Sequence, residues 1–155
     1  MRTRFLKPQL SRLKPQVSSL NLKPMSASHI PCTAHKNGTL TFMARIVGED
    51  ADEIVQADLT AIAYTVYLQD RHQSDRRQPV DGHEAVEIEV AEAVFDTLQL
   101  DDLWTEDGVG YNFRHTIDIS TSPAFTIAGR HFLVEFTFTP VAGQPILAVF
   151  RVSVI

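Results

Sequence analysis

The chain is poor in the residues that would name a chemistry. Of 155 residues a single one is cysteine, Cys32, which excludes an internal disulfide and leaves the redox compartment open. No apolar run approaches the roughly 18–20 residues that a bilayer span requires. No serine sits in a nucleophile-elbow sequence. Acidic residues are missing from positions 1–38, which carry Arg2, Arg4, Lys7, Arg12, Lys14, Lys23 and Lys36. The other 7 basic residues share positions 39–155 with all 19 acidic ones, a local net charge of −12. A basic segment therefore precedes an acidic body, and such asymmetry points to an anionic partner for the segment. That partner could be a nucleic acid, a membrane surface or an acidic protein, a second copy of this body included.

What is present divides at about residue 38. Leu-Lys-Pro occurs three times, at 6–8, 13–15 and 22–24. Each proline fixes φ and removes a donor, and each preceding lysine is pushed away from helical geometry. The spacing counts against a continuous amphipathic helix, and with it against a transit peptide; no apolar stretch long enough for a secretory signal follows the basic residues. Extended, polyproline-like backbone is expected. Phe5, Leu6, Leu10, Leu13, Val17, Leu20 and Leu22 make the segment too apolar for a solvated linker. We read residues 1–38 as an arm that lays Phe5, Leu6, Leu13 and Leu22 on another surface, with Lys7, Lys14 and Lys23 as electrostatic guides. The alternatives are a solvated tail, or upstream sequence ahead of a start at Met43. His29, Cys32 and His35 are potential zinc ligands, but a structural site wants four, and a loop entering the body is the simpler reading.

With 44% apolar residues, the body from 39 to 155 is long enough for one core. The clearest pattern is at its end. Phe132, Val134, Phe136 and Phe138 alternate with polar residues, as do Ile146, Ala148, Phe150, Val152 and Val154 beyond a loop holding Pro140, Gly143 and Pro145. A period of two over this length is a half-buried hairpin. Residues 39–47, 61–68, 86–90 and 111–119 read as further strands, the last with Tyr111, Phe113, His115, Ile117 and Ile119 on one side; a short edge strand at Ile54-Val55 is a further candidate. Ala91, Val94, Phe95 and Leu98 have helical spacing and predict a helix of two to three turns. Residues 69–83 read as an exposed loop, with Arg71, His72, Arg76 and Arg77 as its candidate surface residues. The predicted fold is an all-β antiparallel sandwich with one short helix.

The stretch 124–138 has a phenylalanine, then Ala-Gly, then an aromatic opening an alternating strand. It resembles the penultimate strand of immunoglobulin-like domains in bacteria and phages, over about 115 residues from Thr39 onward. His131 and Phe132 stand where a tyrosine is usual, so no tyrosine-corner bond is available from Phe132, and no Cys–Trp–Cys framework exists. The resemblance implies a structural protein of a virion (capsid decoration, neck, tail or baseplate). Its partners would be copies of itself or a capsid or tail protein, in the virion or the cytoplasm.

Enzymatic readings find little. His115 lies on an apolar strand face and reads as a core or interface histidine. His72 and His83, with Asp70, Asp75, Asp81 and Glu84, read as a solvated polar loop rather than a metal site. Asp101, Asp102, Glu106 and Asp107 lack the ligand spacing of an EF-hand. We expect no enzyme, cofactor, metal, membrane or small-molecule substrate. Nucleic-acid binding through the arm is the less favoured alternative, as Phe5 is its lone aromatic. A carbohydrate-binding sandwich is another.

Overall fold

A computed structural model describes residues 29–155; Phe5, Leu6, Lys7, Leu13, Lys14, Leu22 and Lys23 lie outside the described residues. The described chain is mostly β-structure in two sheets. In chain order the strands are β1 (Ile30–Ala34), β2 (Thr41–Ala44), β3 (Leu59–Gln69), β4 (Arg77–Pro79), β5 (Val86–Ile88), β6 (Val94–Gln99), β7 (Tyr111–Thr116), β8 (His131–Pro140) and β9 (Ile146–Val154). The larger sheet runs β1-β9-β8-β3-β4, with β5 also on β3; the smaller runs β2-β7-β6.

The hairpin read from the sequence is the centre of the large sheet. β8 and β9 pair from His131 opposite Ser153 to Phe138 opposite Ile146. Phe132, Val134, Phe136 and Phe138 are all buried, as alternation requires. Phe136 is the hub between the sheets. Its ring lies 5.4 Å from that of Phe42 on β2 and 4.9 Å from that of Phe113 on β7. Tyr64 on β3 and Phe150 on β9 flank it at 5.8 and 5.7 Å. Burying one such side chain stabilises by about 1.5–3 kcal/mol, and phenylalanines from both sheets make this layer the core.

Four expectations are corrected. Residues 29–35 are not a loop: Ile30–Ala34 forms β1, parallel to β9, with Ile30 opposite Phe150 and Ala34 opposite Val154. The sheet therefore includes part of the segment assigned to the arm and is mixed rather than antiparallel. Pro31 is tolerated because β1 is an edge strand. The helix shrinks to one turn, α1 (Val90–Ala93), since Val94–Gln99 instead pairs with β7. The long loop 69–83 is a hairpin in part, β4 pairing with β3 through Gln69 opposite Arg77. Ile54-Val55 makes no strand; a single bridge joins Val47 to Glu53.

Candidate functional site

Antiparallel strands return the chain to the same end of a sheet, so distant segments become neighbours there. β3 ends at Gln69 where β8 begins at His131, and Arg151 on β9 lies opposite Leu133. Arg71, His72, Arg76, Arg130, His131 and Arg151 thus surround two adjoining depressions, the larger of about 420 Å³. With Arg77 beside them, this end holds five of the eight Arg and Lys residues between 29 and 155.

The tip is shaped by Asp70. Its carboxylate accepts from the His72 and Gln73 backbone N–H groups at 2.8 and 2.9 Å. These bonds hold its pKa below the usual carboxylate range. Arg77 is engaged twice, donating to Glu135 at 2.8 Å and lying 4.1 Å above the Tyr67 ring. Arg130 donates to the Gln69 carbonyl at 2.8 Å. Arg71, Arg76, Arg130 and Arg151 form no ion pair among the described residues. The arrangement is a cationic surface suited to holding an anion.

The opposite end is acidic. β3 begins at Leu59, opposite Pro140 on β8, roughly 33 Å from Gln69 at about 3.3 Å per residue. Here the 48–58 loop and the β8–β9 turn enclose a cleft of about 550 Å³. Glu49, Asp50, Asp52, Glu53 and Asp58 line it with no basic residue among the described residues, while Ile54, Leu59 and Ile146 supply an apolar floor.

Two buried polar side chains tie distant segments of the body together. Asn112 on β7 is 1% exposed. Its Oδ1 accepts from the Ile46 N–H at 2.7 Å, and its Nδ2 donates to the Ile46 and Ile54 carbonyls at 2.8 and 2.9 Å. It thereby fixes both roots of the acidic loop. His83 is 2% exposed, which corrects its reading as part of a solvated loop. Its Nε2 lies 2.8 Å from the Ser122 carbonyl, which can only accept, so Nε2 carries the proton. Nδ1 then accepts from the Tyr64 hydroxyl at 3.0 Å. Burial raises the Tyr64 pKa, assisted by Asp118, and keeps the phenol a donor.

The other candidates come apart. Three residues of extended chain span about 10 Å, so β1 spreads His29, Cys32 and His35 along a line. Burial, then Glu106, raises the Cys32 thiol pKa and leaves it a poor nucleophile. His72 stays at the exposed tip while His83 turns inward. His115 packs on Tyr64 and Phe136 at 5.6 and 6.0 Å, and burial lowers its pKa. The acidic turn at 101–110 is self-satisfied. Asp107 accepts from the Gly110 and Val109 N–H groups and the Trp104 indole at 3.0, 2.9 and 2.9 Å, and pairs with Arg45. No helix among the described residues is long and apolar enough to cross a membrane.

Sequence reasoning found Arg71, His72, Arg76 and Arg77 but missed Arg130 and Arg151, which only the strand register brings to them. It also missed Asn112, whose one signal is a strand-averse residue between Tyr111 and Phe113. No protein-family model matches the chain, and no curated protein or solved structure shows significant similarity to it.

Proposed function

We propose that this protein is a non-enzymatic assembly module of a multi-subunit particle, of the phage or phage-like kind that its immunoglobulin-like resemblance implies. The N-terminal arm docks on neighbouring subunits and the sandwich stands on the surface with its cationic tip outward. The immunoglobulin-like reading is supported by the strand order: β3, β8 and β9 share one sheet while β2, β7 and β6 form the other, as in that fold. The observation that carries the function is charge opposition. Residues 1–28 hold six basic and no acidic residues, whereas 29–155 hold eight basic against 19 acidic. Opposed charge on two parts of one chain guides copies together and sets their register. A nucleic-acid partner is disfavoured by the net negative body, which would repel phosphate around any arm contact.

The test is a deletion cut before His29, since removal through Pro31 would strip two residues from β1. The body should keep its β-rich circular dichroism and sediment as a monomer, while the full chain forms a defined oligomer. A truncated chain that assembles as the full one does would sink the reading.

A further inference from the structure

The arm reading leaves open where on a neighbour the arm goes. We propose that it lies in the acidic cleft of a second copy, the Leu-Lys-Pro triplets placing leucine on the apolar floor and lysine at the carboxylate rim. This inference rests on the assembly reading and adds its address.

Three features of the molecule support it. The first is chemical match. The cleft combines an apolar base (Ile54, Leu59, Ile146) with five carboxylates and, among the described residues, no cation to neutralise them. Each triplet offers an apolar side chain next to an ammonium group, followed by a proline that favours extended backbone. Val141, 65% exposed at the cleft wall, gives further uncovered apolar surface.

The second is direction. β1 is parallel to β9, and Ile30 faces Phe150, four residues beyond Ile146. The chain therefore enters the sheet from the end that carries the acidic cleft. Residues 1–28 precede that point, with all their charge positive.

The third is reach, which brings the cleft of a second copy within range. At about 3.1 Å per residue, extended backbone puts Leu13 and Leu6 up to roughly 50 and 75 Å from Ile30. The sandwich is only about 33 Å long, taken over β3. Fully extended, the outer two triplets can pass beyond their own body to the cleft of the next. An arm given and a cleft filled on every copy is a heterologous contact, which closes as a ring or continues as a filament.

The experiment uses the full chain. Unlabelled and ¹⁵N-labelled protein are mixed in equal amounts in urea, refolded together, joined with a zero-length carbodiimide cross-linker, and digested for mass spectrometry. Mixed-isotope cross-links from Lys7 or Lys14 to Glu49, Asp50, Asp52, Glu53 or Asp58 are expected. Mixed-isotope links from the arm to other carboxylates, such as Glu87 or Asp96, would overturn the cleft while leaving the arm reading standing. Cleft links confined to single-isotope pairs would show own-chain docking and overturn the second copy. A monomer without arm links would remove both the address and the assembly reading. As a second measure, Glu49→Lys with Glu53→Lys should weaken association at least tenfold, and Lys7→Glu with Lys14→Glu should restore it. Both glutamates are exposed and form no ion pair among the described residues. Unchanged association in the doubly reversed cleft would overturn the proposal.

Discussion

Replacing Asn112 by alanine should cost the body a large share of its stability, and the size of the loss follows from counting partners. Asn112 bonds three backbone groups. One of them, the Ile46 carbonyl, keeps a second donor in the Ile54 N–H at 3.1 Å. The Ile46 N–H and the Ile54 carbonyl have none among the described residues. Two orphaned buried groups at about 1–3 kcal/mol each give a loss of about 2–6 kcal/mol. A domain of this size is held by roughly 5–15 kcal/mol in total.

Urea unfolding followed by Trp104 fluorescence and circular dichroism measures the effect. For a slope of about 2 kcal/mol per molar, the midpoint should fall by roughly 1–3 M. Asn112→Asp is the sharper variant. It keeps an acceptor for the Ile46 N–H but turns a second oxygen toward two carbonyls. Burial and those carbonyls raise the folded pKa of the new carboxyl above its unfolded value of about 3.9. Its penalty against the native protein should be smallest below that pH, where the protonated group can still donate, and should grow as pH rises through the folded pKa. If the alanine variant unfolds within about 0.5 M of the native protein, or the aspartate penalty is flat with pH, then Asn112 does not anchor the acidic loop.

Two further predictions concern the other polar anchors. Tyr64→Phe removes the hydroxyl that donates to His83 Nδ1 and should cost about 1–3 kcal/mol in the same unfolding assay; ¹⁵N imidazole shifts of the native protein should report the Nε2–H tautomer, and a native-like midpoint in the variant would refute the bond. For Asp107, the Gly110 N–H above all, then the Trp104 indole, the Val109 N–H and Arg45, hold the pKa well below the usual carboxylate value of 3.8. A depressed folded pKa contributes stability that is present above the unfolded value and lost as pH falls through the folded one. Trp104 emission should therefore stay constant down to and below pH 3.8 and shift to the red in Asp107→Ala, which removes the acceptor of the indole N–H; an emission change centred near that pH in the native protein would contradict the bonding.

The parts of this fold that the sequence makes legible are those whose pattern is local. β8 and β9 could be read residue by residue because one face of each is buried along its whole length, and burial imposes the period. β1 and β4 could not. Arg77–Pro79 is exposed throughout, so it has no apolar alternation to read. Ile30–Ala34 contains a proline, and only the register of β9 makes it a strand. The segment 90–99 went wrong in the other direction. Ala91, Val94, Phe95 and Leu98 fit a helical stripe, but Val94 and Gln99 find partners on β7, and pairing overrides spacing. Asn112 and His83 are single polar residues in apolar surroundings, and what they bond is decided by chain distant in sequence. The charged ends follow the same logic. Basic arm against acidic body is visible in composition, but the separation of charge within the body is not. Arg71, Arg76, Arg130 and Arg151 come from a hairpin tip, a strand entrance and a strand interior; the acidic rim comes from the 48–58 loop. Antiparallel return gathers the first set at one end of β3 and the second at the other. The polarity on which the assembly proposal depends is thus a product of topology acting on charges that look scattered along the chain.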